Sequence, residues 1–176
     1  MPAAAPVQPR RARSRRRGAA LVLLALAAGC GYRFGVPLGR LAVDGRAVAA
    51  PLFENRTAEP GAEALFTAAA REALARAGTL APRDEGLVLR GAVEDVSTAP
   101  LVAAPGRLPN YRLSATLAVA LWKDGVQVAA ATVTGHEESP PGADALGSET
   151  YRGLALRRLA ERVAVEALER LEAQVR

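Results

Sequence analysis

Polar and hydrophobic positions alternate most regularly between residues 110 and 122. Tyr111, Leu113, Ala115, Leu117, Val119 and Leu121 share one face; Arg112, Ser114, Thr116, Ala118, Ala120 and Trp122 share the other. A period of two over this length predicts a strand with one face buried. Lys123-Asp124-Gly125 follows, and Asp-Gly between two such runs signals a hairpin, with a return strand over residues 126–136. A shorter alternation at 87–94 sets Leu87, Leu89, Gly91 and Val93 to one side and predicts another strand. Residues 99–109, with Pro100, Pro105, Gly106 and Pro109, read as a loop. The apolar run at 47–53 suits a strand at a sheet edge or strand end, because Pro51 has no N–H to donate.

Two stretches change to helical spacing. Leu65, Phe66, Ala69, Ala70, Ala73, Leu74 and Ala77 line one face of a helix expected from about Pro60 to Ala77, with Gly78 as its terminator. Leu156, Leu159, Val163, Ala167 and Leu171 form the stripe of a second, running to about Gln174, with Ser148 as the expected N-cap after a loop over residues 137–147. That stripe is broadened by Ala160, Ala164 and Leu168, so packing on a sheet explains it better than a coiled coil. The order is strand, helix, two or three strands in a meander, helix. Two helices covering one face of a small sheet is the α+β arrangement this order predicts.

The first 29 residues stand apart. Six arginines and no acid fill residues 1–17, and an apolar segment of 11 residues follows at 18–28. A membrane-spanning helix needs about 20 apolar residues, so the segment is too short to span and suits a signal peptide. Ser14-Arg15-Arg16 leaves a twin-arginine export route open beside the ordinary secretory one. The sequence Leu26-Ala27-Ala28-Gly29-Cys30 then sets small residues directly before the chain's only cysteine, the pattern of a bacterial lipobox. In that reading a lipid is attached to the Cys30 thiol and the leader is removed after Gly29. Gly31, rather than an aspartate, follows the cysteine, which favours the outer membrane. Residues 30–45 read as the lipidated N-terminus and a tether, and residues 46–176 as a single domain.

Removing the leader changes the charge picture. Without its six arginines, 17 of the 23 Lys and Arg remain against 18 Asp and Glu. The basic character belongs to the leader, so no nucleic-acid partner is inferred. With its one cysteine lipidated the chain has no disulfide, and stability falls to a core rich in alanine and poor in aromatics.

No catalytic constellation is evident. His136-Glu137-Glu138-Ser139 lacks the second histidine of a metalloprotease motif, and His136 is the only histidine in the chain. Neither a nucleophile elbow nor a phosphate-binding glycine loop occurs, and the chain is read as a non-enzyme without cofactor or metal. Arg90, Arg107, Arg112 and Lys123 are scattered over the strand region, where they are candidate contacts for anionic lipid or a partner.

Two segments carry a family likeness. Cys30-Gly31-Tyr32-Arg33-Phe34, together with residues 48–63, where Pro51-Leu52-Phe53-Glu54-Asn55-Arg56-Thr57 leads to Glu59-Pro60-Gly61, resembles the LPS-assembly lipoprotein family, LptE. The resemblance implies two helices on a four-stranded, mostly antiparallel sheet. It also implies a lipid anchor in the inner leaflet of the outer membrane, facing the periplasm, and a place as plug and assembly partner of the LptD β-barrel in lipopolysaccharide transport. The segment around Pro51-Leu52-Phe53-Glu54-Asn55 is also similar to lipoproteins that activate peptidoglycan synthases and to curli-secretion pore subunits, an alternative of a different class.

Overall fold

A computed structural model describes residues 41, 45–83, 86–101 and 108–175. In chain order these form β1 (Glu54–Asn55), α1 (Ala62–Arg76), β2 (Leu87–Pro100), β3 (Tyr111–Lys123), β4 (Val126–Ser139) and α2 (Ala145–Gln174). The sheet order is β1-β2-β3-β4, with β1 parallel to β2 and the other pairs antiparallel. The fold is therefore α+β in the expected order, on a mixed four-stranded sheet.

The alternation in β3 decides how the layers stack. Leu113, Ala115, Leu117, Val119 and Leu121 are buried, and they meet the stripe Ala155, Leu156, Leu159, Val163, Ala167 and Leu171 of α2 within one core. Phe66, Ala69, Ala70, Ala73 and Leu74 of α1 complete that layer. Both helices thus cover one face of the sheet, and the other face carries no element among the described residues. The hairpin turn has the geometry its residues predict, with Asp124 at φ 49° and Gly125 at φ 84°. Both values lie in the left-handed region that Asp-Gly accommodates.

Several boundaries differ from the sequence reading. The run at 47–53 is not a continuous strand: Val48 and Ala49 make isolated bridges to Leu80 and Val88, and regular pairing starts only at Glu54. Pro51 cannot donate to a ladder, which accounts for the gap. β2 runs beyond residue 94 as far as Pro100, taking in the first two residues of the loop expected at 99–109, after a bulge between Val93 and Asp95. α1 begins at Ala62 after a left-handed Gly61 (φ 78°), two residues later than expected. β4 extends to Ser139, so His136, Glu137 and Glu138 lie within a strand rather than at its end. α2 is capped by Asp144, whose carboxylate accepts from Gly147 N at 2.7 Å, and not by Ser148. Ser148 Oγ instead accepts from Gly142 N at 3.0 Å and ties down the incoming loop. The tether before Gly45, apart from Leu41, and the leader lie outside the described residues.

Two glycines allow the layers to approach. A Cβ on Gly91 would lie 2.7 Å from the Phe53 ring, and one on Gly135 would lie 2.5 Å from Val163 Cγ2. Because β-branched Val163 is stiff, Gly135→Ala is expected to cost about 2 kcal/mol through overpacking. Val163→Ala in the same background should recover part of that loss, a coupling that a denaturation cycle of the three variants would measure.

The β4 edge is closed by α2. Gln174 Nε2 donates to Ala130 O at 2.8 Å while its Oε1 accepts from Ala130 N at 3.2 Å. Arg170 donates to Thr132 O at 2.6 Å and Arg162 to His136 O. Side chains thus occupy backbone groups that would otherwise template a further strand.

Candidate functional site

Two surfaces of the body are available for recognition: the uncovered sheet face and the sheet end opposite the β3–β4 turn. The uncovered face is built from cross-strand pairs. Thr116 Oγ1 and Thr134 Oγ1 are 2.9 Å apart, and Ser114 Oγ lies 2.9 Å from His136 Nδ1. Arg112 sits opposite Glu138 at 3.8 Å, while Ala118 and Ala120 face Thr132 and Ala130. The middle of this face is therefore a shallow surface of hydroxyls and methyls, able to exchange hydrogen bonds with water or with another polar wall.

At the far end, a groove of about 320 Å³ runs between the strand ends and the start of α2, lined by Thr98, Tyr111, Leu113, Ser139, Ala145 and Ser148. Leu108, Leu146, Tyr151 and Leu154 are exposed in the same part of the fold, Leu146 by 78% and Leu154 by 51%. Large side chains left in water next to a groove mark a surface suited to a protein partner.

The segment bearing the family likeness has a positioning role here. Asn55 Nδ2 donates to Glu59 O and to Glu63 Oε2, both at 2.8 Å, while its Oδ1 accepts from Thr57 N at 3.0 Å. This knot joins β1 to the start of α1. Glu59 then binds Arg152 of α2, with Nη1 3.1 Å from Oε1 and a second bond from Nη2 to Oε2. The hydrogen bond that Arg152 donates to Glu59 is the largest influence on its pKa and raises it above the ordinary arginine value, so the guanidinium stays charged at physiological pH. Arg56 is raised likewise, first by its hydrogen bond to Glu54 and then by the charge of Glu94. The Arg152 and Glu59 side chains are 27% and 19% exposed, so Arg152→Ala would strand a largely desolvated carboxylate. The expected cost is about 1–2 kcal/mol, read as a lower urea midpoint, with the first turns of α2 losing protection in hydrogen exchange. Sequence analysis marks this segment by its family likeness and assigns it no internal contacts. The Asn-x-Thr spacing was a signal for the knot, whereas nothing local linked Glu59 to a residue 93 positions away.

The four candidate bases are not brought together. Arg90 lies over Trp122 with its guanidinium carbon 4.6 Å from the ring centroid, a cation–π contact. It pairs with Ala120, eight residues from Arg112 along β3, which is about 27 Å at ~3.4 Å per residue. Lys123 is half-buried beside the hairpin turn, at the Arg90 end. Arg107 and Cys30 lie outside the described residues. Among the described residues no group of three or more His, Cys, Asp or Glu could hold a metal ion, and no helix is long and apolar enough to cross a membrane.

Comparison with known proteins places this arrangement. Among solved structures, a hypothetical protein of Chlamydia trachomatis superposes with a TM-score of 0.53 at 13% identity, covering 74% of this chain and 97% of that one. A candidate lipoprotein of Caulobacter crescentus gives 0.52 at 14% identity, over 70% and 89%. A protein of Xanthomonas campestris gives 0.51 at 15%, over 73% and 86%. At such identities the likeness establishes a shared fold. No curated protein matches the sequence. The family model for LptE, described as lipopolysaccharide-assembly, matches residues 45–171, from the entry into the body almost to the end of α2. With the match spanning the whole body, and the expected helices and sheet in place, this chain belongs to the LptE lipopolysaccharide-assembly family.

Proposed function

We propose that this chain, whose general role is lipopolysaccharide assembly, acts as the plug and assembly partner of an LptD-type outer-membrane β-barrel. Family membership over residues 45–171 carries the reading. The architecture supports it in three ways. The uncovered sheet face offers hydroxyls and small side chains to a hydrated lumen. The β4 edge is occupied by α2 side chains, which disfavours uncontrolled strand addition. Exposed Leu146, Tyr151 and Leu154 give the far end an apolar surface for a barrel wall. In this reading residues 1–29 are removed, Cys30 carries the lipid, residues 30–45 form the tether and residues 46–176 the body. Arg112, with Arg107 near it in sequence, and Arg90 with Lys123 are the candidate contacts for lipopolysaccharide phosphates or for the barrel.

The test is a mild-detergent pull-down of the tagged lipoprotein from outer membranes. A large β-barrel recovered in stoichiometric amount is the expected result. Recovery of a peptidoglycan synthase, or of a ring of this chain alone, would overturn the reading in favour of the regulatory or pore-forming lipoproteins.

A further inference from the structure

We infer that a third surface of the body, a groove between residues 49–51 and 80–83, docks an extended acidic segment of a partner protein. The inference stands on the described body alone and is independent of the barrel reading.

The charge of the groove comes first. It measures about 430 Å³, and Ala49, Ala50, Leu80 and Val88 give it an apolar lining. Arg71 and Arg83 supply the only charges among its lining residues. Arg71 Nε donates to Ala50 O at 2.7 Å. That bond sets the plane of the guanidinium and leaves both Nη groups without a partner among the described residues. The Arg83 side chain is exposed and has neither a hydrogen bond nor an ion pair among the described residues. Asp84 and Glu85 follow it in the sequence and lie outside those residues. Elsewhere on the body Arg56, Arg152 and Arg162 already hold carboxylates. Two guanidinium groups without acids, beside an apolar lining, complement a ligand that brings its own carboxylates.

The backbone at the groove is the second, independent observation. Val48 N donates to Thr79 O at 2.7 Å, and Ala81 N donates to Val48 O at 2.9 Å. Thr79 and Ala81 thus turn these groups toward the entry segment. Backbone groups alternate in direction along a strand, so Leu80 N–H and C=O face the open side. Neither makes a hydrogen bond among the described residues. Pro82, next on that side, has no N–H to donate, which keeps the open edge short. On β4, by contrast, α2 side chains occupy the edge. Leu80 can therefore exchange a pair of hydrogen bonds with one residue of an extended chain. Carboxylates on that chain meet Arg71 and Arg83, and its small side chains rest on Ala49 and Ala50. A free phosphate or a lipid headgroup would engage the arginines and leave the strand edge idle. A peptide is the occupant that uses all three features.

The probe is a rhodamine-labelled, end-blocked peptide of alternating glutamate and valine, titrated against the mature protein in nonionic detergent. Saturable binding is expected, read as a rise in fluorescence anisotropy. Arg83→Gln should weaken it about tenfold, the worth of one charge-assisted hydrogen bond. The Arg83 side chain holds nothing within the described fold, so the loss has no structural route. Glutamine in place of every peptide glutamate should abolish binding. Backbone N-methylation keeps the charges but removes the donors, and should weaken binding about fivefold. Absence of saturable binding, or binding indifferent to Arg83→Gln, would overturn the inference. Equal affinity for the N-methylated peptide would show charge contact without strand pairing and would overturn it too. Displacement of the peptide by equimolar inorganic phosphate would reduce the groove to a simple anion site. Displacement by short-chain phosphatidylglycerol, and not by phosphatidylcholine, would assign it to a lipid headgroup. Either displacement would overturn the peptide as occupant.

Discussion

Leu117→Asp is expected to abolish or severely weaken cooperative folding. Leu117 is fully buried at the middle of β3, level with Val93 on one neighbouring strand and Val133 on the other. All three belong to the core beneath the helices, together with Leu159 and Val163. Truncating a buried leucine already costs about 2–5 kcal/mol, and a carboxylate there would also be desolvated with no partner to offset it. A loss of about 4 kcal/mol or more takes up much of the 5–15 kcal/mol that stabilises an ordinary domain. For a body of this size it corresponds to a fall in Tm of about 15 °C. Thr132→Asp provides the contrast, since Thr132 lies exposed on the uncovered face and the expected change is within about 0.5 kcal/mol. Thermal melts of the two variants read the difference directly. An unchanged Tm for Leu117→Asp would mean that the faces of β3 are reversed.

The same strand shows why part of the fold was legible in advance. In β3 the periodicity, the length and the Asp-Gly turn all point one way, and the hairpin follows the sequence pattern almost to the residue. β2 was read only to residue 94 because the alternation breaks there. The break is a bulge, which moves Val96 and Thr98 onto the side that Leu89 and Val93 face and makes a continuous strand look like two segments. Pro100 then resembled loop chemistry, although this segment pairs with β3 on one side only, and on its other edge, with no neighbour among the described residues, a missing N–H costs nothing. At the start of α2, Asp144 and Ser148 were both competent caps by residue type. The choice was made by the Gly142 N–H, which engages the Ser148 hydroxyl.

The candidate site was less legible for a related reason. Its surfaces depend on pairings between distant parts of the chain. Arg90 and Trp122 are 32 residues apart in sequence, and only the β2–β3 register stacks one on the other. The register likewise separates Arg112 from Arg90, which composition alone had grouped as one scatter of bases. The family motif was visible as a string of residues, whereas its physical content, a knot around Asn55 extended by Glu59 to Arg152, needed both helices in place. A motif of this kind preserves the seating of α2 against α1, and with it the position of Leu146 and Tyr151 at the far end.

Cys30→Ala tests the link between this body and the membrane, and its expected effect is all or none. Burial of each acyl CH₂ stabilises membrane attachment by about 0.8 kcal/mol, so one long chain gives reversible binding and more than one gives a stable anchor. The described body has no apolar helix able to replace that attachment. If Cys30 carries the lipid, the alanine variant should accumulate with its leader uncut, incorporate no labelled fatty acid and yield no mature protein in the outer membrane. The body should still fold, because residues 45–175 reach their core without the cysteine, and the variant's melting transition should match that of the parent. Fatty-acid label on the alanine variant would show that the lipid sits elsewhere. An unlabelled, stably folded variant that still co-purifies with a barrel would separate two roles, with the lipid setting location and the far end of the fold setting partnership.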